Sequence, residues 1–542
     1  MSSLLQDYAA RHAESGASDV ALVMGSERIT YGHLEAESNR LARFLIDDGC
    51  QPGDRICLFT PKSPSAIMAM HAILKAGAAY VPIDPASPAP RIAKIVDASE
   101  PRLVLAASAA ASLVDELLAQ GRLGVRVGSL ETPAVAGERF TAAFAPADWS
   151  LLPSEPLERR GAPDSMAHIL FTSGSTGAPK GVVITHANAV SFIEWAVPYF
   201  GIRASDRLSG HPPLHFDLST FDIYGAFAAG SELHLVSPEL GVDPHRLAAL
   251  IRESELTQWF SVPSVLTYMA KFDAVAEDDF PALARLLWCG EVLPTPILVH
   301  WMKRLPHVRF TNLYGPTEAT IASSYHTVTE CPADPSQPIP IGVACAREEL
   351  LVLDDERRVV APGEVGEIFI AGVGLSPGYW RDEEKTRAAF LPDARPGHEG
   401  GRIYRTGDLG RMGDDGQVEF LGRLDSQIKS RGYRIELGEI EAALSAISEV
   451  RECAVVGVDT GGFEGTEICC AYAPARGLTV ERTYLRSELS KVLPPYMLPL
   501  RWRQFDRLPK NVNGKIDRRT IRERFRAEIS QPRPAARSVG GA

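Results

Sequence analysis

The chain has 542 residues, a length that predicts several domains with a large buried core. It is 45% hydrophobic and 23% charged, which is the composition of a soluble globular protein. Its formal net charge of −12 disfavours binding to nucleic acid or to an anionic membrane, because both surfaces are negatively charged.

Strand and helix patterns alternate along the first 340 residues. Helices are predicted over 30–48 and 65–76, and strands over 55–59, 80–83, 102–106, 232–236 and 286–289. Such alternation is typical of βαβ units, so we expect an α/β fold with mostly parallel, covered sheets.

The pattern changes after about residue 340. Short strands over 349–353, 366–371 and 417–421 indicate an antiparallel or barrel-like β layer. From 425 onward, a small α+β unit is predicted from helices over 436–446 and 480–492 and strands over 452–458 and 468–472. The tail after Arg526 is rich in Pro, Arg, Ser and Gly, which predicts disorder.

The cysteines and the N-terminus favour a reduced compartment. The eight cysteines include no C-x-x-C pair, so neither a zinc site nor a redox motif is predicted. The start of the chain lacks a basic region followed by an apolar core, and no apolar run is long enough to span a membrane. We therefore expect a cytoplasmic enzyme with no nucleic-acid or membrane partner.

The segment 170–182, LFTSGSTGAPKGV, is rich in hydroxyls and glycines and carries one lysine. Glycines permit close backbone approach, successive N–H groups can form an anion-binding nest, and hydroxyl and ammonium groups add donors. It is not a Walker loop, because Gly181 follows the lysine and a second β-branched run comes next. A phosphate-binding loop and a Ser/Gly-rich surface hairpin both fit this segment alone. The candidate phosphate-binding residues are Thr172, Ser173, Gly174, Ser175, Thr176, Gly177 and Lys180.

Four further motifs follow in order: NLYGPTE at 312–318, YRTGD at 404–408, GRLDSQIKSRGYR at 422–434 and NGKID at 513–517. Each is weak alone, since Asp408 could simply stabilise a turn and Lys515 could be an exposed surface lysine. Together with 29–32, 74–85 and 366–380, they resemble the adenylate-forming superfamily. More narrowly, they resemble the amino-acid adenylation domains of nonribosomal peptide synthesis, over nearly the whole chain.

This resemblance implies a domain plan and a two-step reaction. An N-terminal adenylation core over 1–424 would be followed by a hinge at Asp425, a C-terminal lid domain over 425–526 and a disordered tail over 527–542. ATP and a carboxylic acid would give an acyl-adenylate and pyrophosphate. The lid would then turn, and a phosphopantetheine thiol would take the acyl group.

The resemblance also implies the roles of the nucleotide-site residues. Lys515 would bridge the substrate carboxylate and the phosphate, while Thr317 and Glu318 would meet the α-phosphate and Mg²⁺. Asp408 would accept from both ribose hydroxyls, and Tyr314 would offer a face to adenine. The remaining residues assigned to ATP binding are Asn312, Gly315, Arg423 and Lys429.

The segment HFDLSTFDIY at 215–224 matches the part of the family that holds the acid substrate. Asp217 would pair with an α-ammonium group. The other pocket positions would be Leu218, Phe221, Phe260, Leu287, Cys289, Leu313, Ile321 and Ala322. They include no charged group to pair a polar side chain, so a small apolar side chain is expected.

The pocket is similar to those of two freestanding groups, the proline-loading enzymes and the D-alanine–carrier-protein ligases. Phe221 and Cys289 are bulkier than the proline group implies, so an alanine-sized substrate is expected first and proline next. The stereochemistry is left open. Only 27 residues follow Lys515, too few for a carrier module, so we expect a stand-alone carrier protein to act in trans.

Three other functions each agree with part of the sequence. A hydrolase is suggested by G-x-S-x-G at 374–378, but Pro377 has no N–H for an oxyanion hole. An acyl-CoA ligase acting on a small carboxylic acid is the nearer alternative, and Asp217 argues against a simple fatty or aryl acid. A catalytically inactive nucleotide-binding regulator is disfavoured by the presence of Lys515, Asp408 and Glu318 together.

Overall fold

The computed structural model describes residues 3–174, 178–241, 243–425, 427–460, 465–475, 478–510 and 515–529. Two compact units emerge from this part of the chain. The larger comprises 1–172 and 179–425, and the smaller comprises 173–178 and 426–542. The larger unit therefore ends at Asp425, the residue expected to act as the hinge.

The strands, in chain order, are β1 (Val20–Met24), β2 (Glu27–Thr30), β3 (Arg55–Phe59), β4 (Ala79–Ile83), β5 (Leu103–Ala106), β6 (Arg126–Ser129), β7 (Met166–Thr172), β8 (Lys180–Thr185), β9 (Arg207–Gly210), β10 (Glu232–Leu235), β11 (Gln258–Ser261), β12 (Arg285–Cys289), β13 (Arg309–Tyr314), β14 (Ser324–Val328), β15 (Val343–Ala344), β16 (Glu348–Leu353), β17 (Val365–Gly372), β18 (Phe390–Pro392), β19 (Arg402–Met412), β20 (Val418–Arg423), β21 (Gln427–Ser430), β22 (Tyr433–Glu436), β23 (Val450–Asp459), β24 (Thr466–Pro474) and β25 (Arg501–Gln504).

The α-helices are α1 (Asp7–Ser15), α2 (Tyr31–Asp47), α3 (Pro64–Lys75), α4 (Ala89–Ser99), α5 (Ala111–Ala119), α6 (Pro146–Trp149), α7 (His186–Phe200), α8 (Leu218–Ala229), α9 (Pro244–Glu253), α10 (Pro263–Lys271), α11 (Thr295–Arg304), α12 (Glu383–Ala389), α13 (Leu437–Ser445), α14 (Arg482–Ser490) and α15 (Arg518–Ile529). Short 3-10 helices cover Ser108–Ala110, Thr317–Ala319 and Pro495–Met497.

Two sheets of the larger unit are mainly parallel. One has the order β15-β14-β13-β12-β11-β9-β10-β1-β2 and is parallel from β13 to β1. The other has the order β6-β5-β3-β4-β7-β8 and is parallel except for the hairpin of β7 and β8. The predicted α/β class is therefore confirmed, with two covered sheets.

The helix α8 shows how the core positions a candidate site. Its residues from Leu218 to Phe227 are all buried, because apolar side chains occur on every side rather than on one stripe. The helix ends where Gly230 adopts φ +73°, a left-handed conformation that favours glycine. A helix enclosed in this way fixes the residue that precedes it, Asp217.

The third sheet of the larger unit is the layer predicted after residue 340. Strands β16, β17, β19 and β18 lie side by side in antiparallel pairs, and β20 also pairs with β19. This curled antiparallel sheet carries Asp408 on β19 opposite Arg423 on β20. The barrel-like expectation is thus confirmed as a half-barrel.

The smaller unit is an α+β structure. Strands β23, β24 and β25 form a sheet, β21 and β22 form a hairpin, and α13 and α14 pack over an apolar cluster that includes Ile440, Leu485 and Val455. The helix α15 runs to Ile529, three residues into the tail predicted as disordered from 527. That boundary was wrong because Ile521 and Phe525 are buried and Ile529 packs against the same cluster. Residues 530–542 lie outside the described part.

Candidate functional site

The segment predicted to bind phosphate connects β7 to β8. The register pairs Thr172 with Lys180, so the two residues face each other across the strands at the start of the connection. A Cβ on Gly174 would lie 2.1 Å from the carbonyl oxygen of Ala178, so the turn requires glycine there. Ser173 is buried, and Ser175, Thr176 and Gly177 lie outside the described residues.

Lys180 belongs to a cluster of three polar side chains in the larger unit. Its Nζ lies 3.0 Å from Glu318 Oε1 and donates to the hydroxyl of Tyr379 at 3.1 Å. The Tyr379 hydroxyl in turn donates to Glu318 Oε1 at 2.8 Å. The Glu318 side chain is fully buried and that of Lys180 is only 11% exposed. The cluster therefore holds a carboxylate and an ammonium group in fixed positions with little water.

Tyr379 was not predicted as a site residue, although it lies in the motif at 366–380. Backbone bonds bring it to β8: Trp380 N donates to Gly181 O at 2.7 Å, and Val183 N donates to Gly378 O at 3.1 Å. The Gly-Tyr-Trp run at 378–380 is the sequence signal that could have identified Tyr379 as a site residue. Its contact with Lys180 spans 199 positions, which no local pattern indicates.

Glu318 is carried by an unusual turn after β13. Thr317–Ala319 is a 3-10 helix, and Thr320 and Ile321 follow with φ of +58° and +70°, a conformation that costs energy for residues other than glycine. Ser376 N donates to Glu318 O at 2.9 Å, and Thr320 Oγ1 donates to Gly374 O at 2.6 Å. The chain at 374–376 thus holds the turn, which leaves Thr317 partly exposed.

A second polar cluster surrounds Asp408. The Tyr314 hydroxyl donates to Asp408 Oδ2 at 2.6 Å, and Arg423 Nη1 donates to Asp408 Oδ1 at 2.5 Å. Burial and the Asp408 charge raise the pKa of Tyr314 well above its usual value, so this phenol stays protonated as a donor. Arg423 also pairs with Asp425 at 2.7 Å. Each oxygen of Asp408 has a second lone pair, so the carboxylate can accept two further hydroxyls.

The other nucleotide-site candidates belong to different elements of the two units. Asn312 is buried on β13 and its side-chain amide donates to Pro340 O at 2.8 Å. Gly315 follows β13, and a Cβ there would lie 2.6 Å from Ala322 Cα, so the backbone packs too closely for a side chain. In the smaller unit, Lys429 lies on β21 opposite Arg434, and Lys515 is exposed just before α15.

The structure brings the predicted substrate-pocket residues together. Phe260, Leu287, Cys289 and Leu313 lie on neighbouring parallel strands, with Phe260 opposite Leu287 and Cys289 opposite Leu313. Phe221 on α8 meets Phe260 edge-on at a ring-centroid distance of 5.8 Å. All are buried in one apolar cluster, whose candidate members are Leu218, Phe221, Phe260, Leu287, Cys289, Leu313, Ile321 and Ala322.

Asp217 introduces a carboxylate at the edge of this apolar cluster. It is 8% exposed and immediately precedes α8. Within the described chain, its side chain makes no capping hydrogen bond to that helix. Behind Phe221, the rings of Phe192 and Phe200 lie at centroid distances of 5.4 Å and 6.0 Å, an aromatic layer that the sequence did not predict.

Glu318 is the residue whose fit to Mg²⁺ can be examined from its side-chain chemistry. Across the described ranges, no three His, Cys, Asp or Glu side chains group as a metal site. Mg²⁺ typically binds one or two carboxylates together with substrate phosphate oxygens, and the buried Glu318 side chain is a carboxylate of that chemical type. We also find no helix, in the part of the chain that is described, of sufficient length and apolarity to cross a membrane.

Comparison with known proteins gives consistent matches over both units. The AMP-binding enzyme family matches residues 9–380, and the C-terminal domain of AMP-binding enzymes matches 439–515. The chain is 35% identical to the L-proline–[L-prolyl-carrier protein] ligase of Pseudomonas fluorescens over 507 residues, covering 92% of this chain and 94% of that protein. It is also 35% identical to the ligase of the same name from Streptomyces coelicolor over 553 residues, covering 98% and 97%.

Larger and solved relatives match as well. The chain is 34% identical to surfactin synthase subunit 2 of Bacillus subtilis over 97% of its own length, but it spans only 14% of that protein. Among solved structures, an NRPS protein containing adenylation and PCP domains, bound to a vinylsulfonamide inhibitor, superposes with a TM-score of 0.79 at 27% identity. That alignment covers 96% of this chain and 84% of the other.

Proposed function

The chain belongs to the AMP-binding enzyme family, and we propose that it activates a small apolar amino acid as its aminoacyl-AMP and transfers it to the phosphopantetheine thiol of a separate carrier protein. One observation carries the choice of an amino acid: the buried carboxylate of Asp217 borders an otherwise apolar pocket. An α-ammonium group carries the opposite charge to this carboxylate, so the two would attract each other in a site with little water.

In the first step, a carboxylate oxygen of the amino acid attacks the α-phosphorus of ATP. The bond between that phosphorus and the oxygen leading to the β-phosphate breaks, and pyrophosphate leaves. Catalysis of such a transfer is mainly positioning and charge stabilisation. Lys180, whose ammonium is held by Glu318 and Tyr379, would meet the phosphate oxygens, and Lys515 would meet the charge that develops between carboxylate and phosphorus.

The remaining polar residues would hold the nucleotide. Asp408 would accept from both ribose hydroxyls while Tyr314 and Arg423 fix its orientation. Glu318 would hold Mg²⁺, which supplies neutralising charge at the phosphate oxygens when bound. Thr317, partly exposed on the same turn, offers a hydroxyl to the α-phosphate.

In the second step, the phosphopantetheine thiol attacks the carbonyl carbon of the aminoacyl-AMP and loses its proton. The bond from that carbon to the phosphate oxygen breaks, AMP leaves, and a thioester remains on the carrier. The names and near-complete coverage of the two carrier-protein ligases support a carrier that is a separate protein.

Alanine and L-proline are the two candidate substrates that the observations favour. Alanine is supported by the pocket, because Phe221 and Phe260 are fully buried and meet edge-on. L-Proline is supported by the activity for which the two ligases at 35% identity are named. An extra methylene in a filled pocket costs about 1–3 kcal/mol, so valine, leucine and phenylalanine should be activated more slowly.

Amino-acid-dependent ATP–pyrophosphate exchange tests the proposal. The purified protein with Mg²⁺ and ATP should exchange pyrophosphate with alanine or proline, and mass spectrometry should then find the same aminoacyl group on an added phosphopantetheinylated carrier. D-Alanine belongs in the panel. No exchange with any amino acid, together with thioester formation from CoA and a small carboxylic acid, would instead make the protein an acyl-CoA ligase.

The Asp217→Ala variant tests the ammonium partner. It should lose activity with the amino acid but lose less with the des-amino acid of the same size, since only the former needs the carboxylate. Asp243→Ala is the matched control, because Asp243 also precedes a helix but caps α9 through bonds to His245 N and Arg246 N. That control should cost about 1 kcal/mol of stability without changing substrate selection. If Asp217→Ala retains the preference for the amino form, Asp217 is not the partner.

A further inference from the structure

A buried lysine outside the predicted site is bonded to the chain that leads to Asp217. Lys62 lies in the connection between β3 and α3, and it is 7% exposed. Its Nζ donates to three consecutive backbone carbonyls, those of Gly210, His211 at 2.7 Å and Pro212 at 3.0 Å. An ammonium group has three N–H donors, so the number of acceptors matches the charged form.

Asp222 on α8 is a buried carboxylate whose charge acts on Lys62. Asp222 is 1% exposed, and burial raises its pKa while the Lys62 charge acts against that rise. Burial lowers the pKa of Lys62, and the Asp222 charge opposes the change. Two opposite charges enclosed together stabilise each other, whereas either alone would be costly.

The position of this pair gives it a role in the site. Lys62 follows β3, a strand of one parallel sheet, and its acceptors begin at the end of β9 in the other. The held carbonyls end at Pro212, five residues before Asp217, and Asp222 adjoins Phe221 on the same helix. Both ends of the segment 210–217 are therefore fixed, the first by Lys62 and the second by the buried helix α8.

We propose that Lys62, with Asp222 as a buried counter-charge, is a positioning residue that holds the segment 210–217, and with it the carboxylate of Asp217, at the place where the substrate ammonium binds. This inference rests on the proposed function, since it assigns the pair an effect on the amino acid. Neither residue needs to touch the substrate. Loss of the pair should weaken use of the amino acid more than use of ATP, because displacement of about 1 Å costs up to 100-fold in a catalytic site.

The test removes both charges at once. Lys62→Met with Asp222→Leu avoids leaving one buried charge without its partner, a change that often preserves folding. The matched control is Lys75→Met with Glu35→Leu, because Lys75 is also buried and pairs with Glu35 at 2.6 Å. Lys75 ends α3, about 18 Å along the helix from the Lys62 side.

Two measurements are compared between the variants and the wild type. Hydrogen–deuterium exchange of a peptide over 208–217 should accelerate in the Lys62/Asp222 variant and stay unchanged in the control. The KM for the amino acid in pyrophosphate exchange should rise about 10-fold to 100-fold, while the KM for ATP stays within about 2-fold. If the double variant does not fold, Asp222→Asn, which keeps the side-chain shape, should show the same two effects to a smaller degree.

Any other outcome contradicts the proposed role of Lys62 and Asp222. Unchanged hydrogen exchange over 208–217 would show that Lys62 does not hold the segment. Faster exchange with an unchanged KM for the amino acid, or with an equal rise in both KM values, would reduce the pair to a structural role. If the wild type activates no amino acid, the proposed function fails, whereas hydrogen exchange still decides whether the segment depends on Lys62.

Discussion

Removal of the Tyr379 hydroxyl tests the proposed phosphate site. It donates to Glu318 Oε1 at 2.8 Å and accepts from Lys180 Nζ at 3.1 Å. The substitution Tyr379→Phe removes both bonds. The Lys180 ammonium lies 4.7 Å from the centre of the Tyr379 ring, and that contact survives the change. The variant therefore isolates the hydroxyl with little change in packing.

The magnitude follows from the number and type of bonds. A hydrogen bond to a charged group contributes about 1.5–3 kcal/mol, but Lys180 and Glu318 still contact each other at 3.0 Å in the variant. We therefore expect a net loss of about 2–3 kcal/mol in transition-state stabilisation. This corresponds to about 30-fold to 150-fold in kcat/KM for ATP.

The assay is ATP–pyrophosphate exchange over a series of Mg²⁺ concentrations, with Tyr314→Phe as the matched control. Tyr314→Phe removes a bond to Asp408 instead, so it should raise the KM for ATP without altering the Mg²⁺ requirement. Tyr379→Phe should raise the Mg²⁺ requirement, because Glu318 loses an orienting donor. A loss below about 3-fold for Tyr379→Phe, or an equal Mg²⁺ shift in both variants, would refute the reasoning.

Three further predictions address other residues. Lys515→Ala should slow adenylation by about 10²–10³-fold while sparing thioester formation from supplied aminoacyl-AMP. Lys510→Ala, at another exposed lysine, is the control. An equal loss in both steps of the Lys515→Ala variant would contradict the assignment. Phe221→Ala removes a fully buried ring, so it should cost about 3–5 kcal/mol in urea unfolding and move selection toward larger apolar amino acids; unchanged selection would contradict the pocket. Burial raises the pKa of Glu348 from 4.5 to about 8, so the folded state retains a proton that the unfolded state releases. The free energy of unfolding of the wild type should therefore fall relative to that of Glu348→Gln as pH rises from about 5 to 8, by at most about 1.4 kcal/mol per pH unit. The same difference between the two proteins at both pH values, measured by urea unfolding, would contradict this.

The sequence predicted the regular elements well because each has a strong local pattern. The predicted strand over 55–59 is β3, and the predicted helix over 30–48 is α2, which begins one residue later because Thr30 caps it through a bond from His33 N. The pocket residues came from the family resemblance rather than from a local pattern, and the structure places four of them on the adjacent parallel strands β11, β12 and β13.

The long-range contacts of Lys180 and of the segment that begins at Gly210 could not be predicted from the sequence. Tyr379 reaches Lys180 across 199 positions, and Lys62 reaches Gly210 across 148. Neither residue stands out locally, since a lone lysine is usually exposed and a tyrosine usually belongs to a core. Only the folded chain shows that each one has polar partners at hydrogen-bonding distance.

The turn that carries Glu318 shows why the motif letters alone do not define the site. Thr320 and Ile321 adopt left-handed backbone angles, which persist only where the surroundings enforce them. The enforcing bonds come from Gly374 and Ser376, and Gly374 N itself donates to Glu348 Oε1 at 2.7 Å. The position of Glu318 therefore depends on residues that contact neither nucleotide nor amino acid in the proposed reaction. A chain that kept the motif at 312–318 but lost these supports would keep the side chains and lose their geometry.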